Sequence, residues 1–272
     1  MRFEIVTIFP GFFAGIFEHG IVRRAQANAL VSVGVHDLRE FTHDRHRTVD
    51  DRPFGGGEGM VLKPEPLAEA LGSLGIEPKP PPPAEGLAMA TRVILLSAQG
   101  RPFNQSMARE LAGLERVVLI CGRYEGVDER IAERFVDLEV SIGDFVITGG
   151  ELAAMVVMDA VTRLLPGALG NADSADQDSF EGHRLDCGHY TRPPEFQGRP
   201  VPDVLLTGNH ELIADWRRAD GLMRTLVRRP DLLRVDPLDT QEVALLEKWR
   251  QEIDALLRSQ HGSGPGSLPG DG

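Results

Sequence analysis

Cysteine and lysine are nearly missing from this chain. Of its 272 residues only Cys121 and Cys187 are cysteine. Two thiols in a chain this long point to a reducing compartment and a structural use rather than a disulfide framework. Only Lys63, Lys79 and Lys248 are lysine, so almost every cation is arginine. Compositional bias accounts for that as readily as function does, although the planar guanidinium also suits phosphate and guanine. No apolar run reaches the roughly 20 residues that cross a bilayer. The apolar opening MRFEIVTIFPGFFAGIF is broken by Glu4, Pro10 and Gly11 and lacks a basic leader. It reads as a strand entering a helix, not as a signal peptide. These absences predict a cytoplasmic protein without a membrane partner. No G-x-G-x-x-G opens a helix after a strand, and GGGEGM (55–60) lacks the G-K-[ST] of a P-loop. Both absences argue against Rossmann dinucleotide binding and P-loop hydrolysis. Internal repeats are also lacking.

The formal charge of −12 opposes nucleic-acid binding if it is spread evenly, because phosphate contacts need cations. It is not even. Residues 184–260 hold 12 basic against 13 acidic residues, so the acid excess sits in the first two-thirds.

The patterning that is present is α/β. Residues 3–9 predict a buried strand, and Phe13, Ile16, Phe17, Ile21 and Ala25 follow at helical spacing. A polar stretch spans 41–60, a helix is expected at 64–74, and the proline-rich segment 75–86 is an extended surface loop. RVILL (92–96) and RVVLI (116–120) are strands whose loops feed helices at 105–114 and 127–135. Residues 136–150 predict a further strand pair, running into an apolar helix stopped by Pro166-Gly167. Strands alternating with helices imply a mainly parallel sheet. The expected organisation is an α/β domain over 1–167, a flexible linker over 168–183, a smaller helical domain over 184–258 and a disordered tail over 259–272. Asn209 stands at an N-cap position, and Asp239 with Glu242 forms a capping box before the last helix.

Several groups could carry chemistry. SAQGR, CGRYEG, SIGD and TGGE lie at or near strand C-termini, the edge where open α/β sheets bind ligands. Glycine lets backbone approach a ligand closely, so together they suggest a nucleotide-like ligand. HDRH (43–46) has two histidines and an aspartate, but no further cluster at zinc spacing, and reads better as part of a polar lid. On pattern alone Asp178 caps a turn, and Arg163 pairs with Asp159 four residues earlier. Arg217, Arg224 and Arg228 share a helix face, either solvated or tracking phosphates.

The strings FTHDRHRTVDDRPFGGGEGM, CGRYEGVDER, SIGDFVITGGEL, DSF, DCGHYTRP and LLTGNH together resemble the bacterial tRNA (guanine-N1)-methyltransferases. The resemblance runs from residue 1 to about 258, omitting the proline-rich loop and the tail. It implies a cofactor domain tied in a deep trefoil knot (the SPOUT class) over roughly 92–165, an exception to the near absence of knots. It implies an S-adenosylmethionine site at Leu96, Gly122, Tyr124, Glu125, Ile142, Gly143, Asp144, Phe145, Val146, Ile147, Gly149 and Gly150. It further implies a homodimer with shared active sites, a magnesium dependence with no site visible here, and methylation of the guanosine 3′ of the anticodon, position 37, in the anticodon stem-loop. Asp50 and Gly59 join Arg217, Arg224 and Arg228 as substrate contacts. One departure is Ser97-Ala98-Gln99-Gly100, where the family usually has proline second.

The resemblance also reassigns Asp178 and Arg163 as the catalytic pair. Guanine N1 keeps a proton and is a poor nucleophile while it does. Asp178 would take that proton; aspartate at its ordinary pKa of about 3.9 is a weak base. Arg163 would offset this by donating to O6 as negative charge builds there. The competing readings are a knotted ribose 2′-O-methyltransferase and a non-catalytic RNA-binding module that keeps the pocket.

Overall fold

A computed structural model of the chain describes residues 1–79, 90–169, 178–180, 182 and 184–261. Most of the proline-rich loop, the core of the expected linker and residues 262–272 lie outside the described residues. The chain divides into two compact units, Met1–Ala175 and Asp176–Gly272.

The first unit is built on one five-stranded sheet of order β2-β1-β6-β5-β7, parallel at every pairing. The strands are β1 (Arg2–Thr7), β2 (Ser32–Asp37), β5 (Thr91–Pro102), β6 (Arg116–Cys121) and β7 (Leu138–Ser141). A short antiparallel pair, β3 (Asp50–Asp51) and β4 (Val61–Leu62), lies apart. The helices are α1 (Ala14–Glu18), α2 (Gly20–Ala27), α3 (Pro64–Ser73), α4 (Gln105–Ala112), α5 (Glu129–Phe135) and α6 (Gly150–Thr162).

The sheet separates two cores. Phe3, Ile5, Ile94, Val117 and Leu119 face α2, α4 and α6. Val6, Val93, Leu95, Val118 and Ile120 face α3 and α5. A strand buried on both faces has no polar side, which is why these segments read as continuous Val/Ile/Leu runs rather than alternations.

Three local expectations need correction. The single helix expected through Phe13–Ala25 is split at His19, because His19 is extended and Gly20 adopts φ +73, left-handed backbone that interrupts the helix. SAQG is not a terminal loop. β5 continues through it to Pro102, with a register shift against β7 between Leu96 and Arg101. At the bulge a Cβ on Gly100 would sit 2.4 Å from the Val140 nitrogen, so only glycine fits. Finally, 136–150 holds one strand, β7, and not two. Its apolar residues Phe145, Val146 and Ile147 line a cavity instead of pairing, a use that hydrophobicity cannot distinguish from a strand.

The second unit adds a small hairpin, β8 (Glu195–Phe196) with β9 (Arg199–Pro200), to three helices: α7 (His210–Arg228), α8 (Leu232–Val235) and α9 (Thr240–His261). Two-residue strands leave no periodic trace, so the sequence showed only helices. Residues 259–261 continue α9 and are not tail. The Asn209 side chain accepts from the Glu211 and Leu212 N–H groups, capping α7. Asp239 and Glu242 form the reciprocal box: the Asp239 N–H donates to Glu242 at 3.0 Å, and the Glu242 N–H to Asp239 at 2.8 Å.

Glu242 also ties α9 to the start of this unit. Arg184 donates to both of its oxygens, at 2.6 and 2.8 Å, with both side chains largely buried. These bonds hold the Glu242 carboxyl below its ordinary 4.5, against the burial that raises it. The unfolded chain therefore binds this proton first. The stabilisation is complete above the unfolded value and is lost as pH falls through the folded one. Glu242→Gln should cost about 2 kcal/mol at neutral pH, and its thermal midpoint should fall less steeply than wild type's on acidification below pH 4.5. Parallel midpoint-against-pH curves by circular dichroism would contradict this.

Candidate functional site

Parallel strands place their C-terminal ends along one edge. Leu96 of β5 is in register with Cys121 of β6 and Val140 of β7, so the turns that follow converge there. They enclose a cavity of about 450 Å³, within the range of small-molecule sites. Of the twelve residues expected to hold a cofactor, eleven line it: Leu96, Gly122, Tyr124, Glu125, Ile142, Gly143, Phe145, Val146, Ile147, Gly149 and Gly150. Asp144 lies in the same loop, exposed, and is not on the wall. Ala98, at the departure from the family pattern, is on the wall.

The 121–126 and 142–150 turns are bound to one another. The Gly150 N–H donates to the Gly122 carbonyl at 2.9 Å. A Cβ on Gly150 would lie 2.7 Å from the Cys121 Cα, so this approach requires glycine. Arg123 reinforces the junction, its Nη1 donating to the Thr148 carbonyl at 3.1 Å. Its Nε donates to Glu151 Oε2 at 2.9 Å, and Thr7 Oγ1 donates to Glu151 Oε1 at 2.8 Å. Glu151 is fully buried, and the guanidinium also stacks over Phe9, 4.6 Å from its centroid. One carboxylate thus joins the end of β1, the β6 turn and the first turn of α6. Sequence reasoning passed over Thr7, Arg123 and Glu151. The available signal was an acid inside the otherwise apolar helix GELAAMVVMDAVT. Burial, and next the Glu151 charge, push the Cys121 thiol well up, so it stays protonated and inert.

Gly59 lies against this cavity's rim: with φ +95, a Cβ there would meet Glu125 Oε1 at 2.6 Å. The Glu125 N–H donates to the Met60 carbonyl, and the Leu62 N–H to Gly126. Asp50 is half-buried in β3, beside β4. His43 pairs with Glu69 at 2.9 Å, and Asp44 accepts from the His46 and Thr48 N–H groups. HDRH thus organises its own loop.

Arg163 is the C-cap of α6, its N–H donating to the Asp159 carbonyl at 3.1 Å. Asp178 belongs to the second unit, half-buried in a turn that the unit anchors. The Asp186 N–H donates to Ser179 Oγ at 3.0 Å, and the Phe180 N–H to the Arg184 carbonyl at 2.6 Å. On α7, Arg217 and Arg228 are exposed, whereas Arg224 is bound to Asp220 at 2.5 Å.

Among the described residues, the one grouping of ligating side chains that could share an ion is Asp186, Cys187 and His189. Magnesium takes oxygen ligands, so this mixed set does not suit it. No helix among the described residues is long and apolar enough to cross a membrane.

A family model described as tRNA (Guanine-1)-methyltransferase TrmD matches residues 1–235. Curated relatives carry the name tRNA (guanine-N(1)-)-methyltransferase. The protein from Koribacter versatilis is 54 % identical, covering 95 % of this chain and 99 % of its own. That from Desulfatibacillum aliphaticivorans is 47 % identical over 98 % of each. That from Dehalococcoides mccartyi (strain ATCC BAA-2266 / KCTC 15142 / 195) is 50 % identical over 96 % of this chain and 99 % of its own.

Proposed function

Because this chain belongs to the tRNA (guanine-1)-methyltransferase family, we propose that it methylates N1 of guanosine 37 in tRNA, using S-adenosylmethionine. The observation that carries this reading is the cavity at the strand ends, where eleven of the family's twelve cofactor positions converge.

The cavity's chemistry fits the donor. Its walls combine apolar side chains with glycine backbone, and Glu125 and Glu129 add negative charge suited to a cationic nucleoside. Leu96, Ile142 and Ile147 would flank the base and ribose, and the backbone at Gly122, Gly149 and Gly150 would approach their polar edges. When bound, S-adenosylmethionine supplies an electrophilic methyl group. The chain's own residues must then hold guanine in line and manage its N1 proton. In this reading Asp178 accepts that proton and Arg163 donates to O6, stabilising the charge that develops there. Asp50 and Gly59 contact the target nucleotide, and Arg217 and Arg228 contact phosphates. No step is routed through magnesium.

The family resemblance implies a knot over roughly 92–165, and the strand order, with the β6-to-β7 connection crossing β5, is compatible with it. Exposed Phe9, Phe12, Leu152 and Val156 give the first unit an apolar surface suited to a homodimer with shared sites.

The test is methyl transfer to unmodified tRNA transcripts, followed by nucleoside mass spectrometry. The expected product is 1-methylguanosine at position 37. A 2′-O-methylated product, or RNA binding without transfer, would overturn the reading.

A further inference from the structure

A second cavity is lined by residues 188–217 of the C-terminal unit, and among them only Arg217 was proposed above to contact substrate. Its volume is about 530 Å³, again within the range of small-molecule sites. Leu205 and Ile213 make its apolar wall, and Tyr190 meets Trp216 edge to face, ring centroids 6.1 Å apart. Tyr190 stays 49 % exposed, so much of its ring is open to a ligand.

Charge discriminates among occupants. The chain carries 41 acidic residues against 29 basic ones, yet no Asp or Glu lines this cavity, while Arg192 and Arg217 do. Four of the unit's other nine arginines are committed to carboxylates: Arg184 to Glu242, Arg218 to Asp239, Arg224 to Asp220 and Arg229 to Asp231. Arg192 and Arg217 form no such ion pair among the described residues. Guanidinium groups left without acids beside an open aromatic face suit an anion that carries a flat ring.

The wall is held in advance. The Gly188 N–H donates to Asp220 at 2.6 Å, and Asp186 pairs with His189 at 2.7 Å. The first of these bonds ties the segment leading into Tyr190 to α7 before any ligand arrives, which lowers part of the ordering cost of binding.

We propose that this cavity takes one unstacked nucleotide of the tRNA other than the methylated guanosine, its base against Tyr190 and its phosphate on Arg192 and Arg217. Aromatic stacking of splayed bases with arginine on the phosphate is how proteins hold single-stranded RNA. The inference rests on tRNA being the substrate and adds a subsite to it.

The experiment measures tRNA affinity across a salt series for the full-length protein and for Tyr190→Ala, Tyr190→Phe and the double variant Arg192→Ala/Arg217→Ala. It is paired with photo-crosslinking of 4-thiouridine-substituted tRNA and mass-spectrometric mapping. Tyr190→Ala should weaken binding about five- to a hundredfold, with Tyr190→Phe near wild type. The arginine variant should lower the log–log salt slope by about one to two. S-adenosylmethionine affinity should not change in any variant, and a crosslink should map to residues 188–217 and to one nucleotide other than position 37. Unchanged affinity and slope with no such crosslink, or a changed oligomeric state with tRNA binding intact, would overturn the subsite. If wild type then still makes 1-methylguanosine, only the subsite falls; if wild type makes none, the assigned reaction falls.

Discussion

Asp178→Ala is expected to lower the turnover of methyl transfer by about 10²–10⁴-fold, the usual worth of a positioned general base. Affinity for S-adenosylmethionine should hold, because the cavity proposed for it is lined by residues of the first unit and Asp178 is not among them. Asp178→Asn is the sharper variant. It keeps the shape and one acceptor oxygen but cannot accept the N1 proton. Its rate should match the alanine variant's. Arg163→Ala should cost about 10²–10³-fold in turnover, the size of losing one donor to a developing oxyanion. The two losses should not add, since proton removal and O6 stabilisation serve one transition state. Single-turnover kinetics with saturating donor and tRNA read these effects. Near-wild-type rates for Asp178→Asn would remove Asp178 from the chemistry. A loss confined to donor affinity in Arg163→Ala would move that residue to binding.

Glu151→Ala should be as damaging by a different route. Its carboxylate is fully buried and joins Thr7, Arg123 and the first turn of α6. Removing it strands Arg123, only 12 % exposed, without its counter-charge. Breaking a buried pair from one side costs about 3–5 kcal/mol, or roughly 6–20 °C in thermal midpoint for a chain of this size. The cofactor turns should also loosen, because Arg123 holds the Thr148 carbonyl. We expect donor affinity to fall by about 10–100-fold, as it does when the groups that orient a site's ligands are lost. Glu151→Gln should be nearly as poor, because a neutral amide leaves the buried guanidinium without its counter-charge. Thr7→Ser keeps the hydroxyl and should restore what Thr7→Val loses. Melting curves with and without S-adenosylmethionine, and calorimetric titration, decide the matter. Donor affinity within twofold of wild type in Glu151→Ala would show that the cluster serves stability alone.

Much of the cavity at the strand ends was legible because its signals are local. Apolar runs ending in glycine-bearing turns mark strand ends, and a parallel sheet brings those ends to one edge. The resemblance then supplied the individual positions. The caps at Asn209 and at Asp239 with Glu242 were legible for the same reason, since a cap involves residues only two or three apart. The failures share a cause as well. Phe145, Val146 and Ile147 are apolar because they line a cavity, and the same composition is read as a strand. Gly100 is required by Val140, forty residues away, so nothing nearby announces the bulge.

What the amino-acid order determined alone is the α/β class, the glycine turns, the helix caps and membership in a family of tRNA methyltransferases. Each is encoded by neighbours within a few residues or by long strings of identity. Tertiary structure decided which charges are spoken for: Glu151 to Thr7 and Arg123, Glu242 to Arg184, Arg224 to Asp220. Some of these partners lie up to 144 positions apart in the chain. A charged side chain looks the same in sequence whether water or a counter-ion satisfies it. The distinction arises only when folding removes the water and leaves the ion as its replacement.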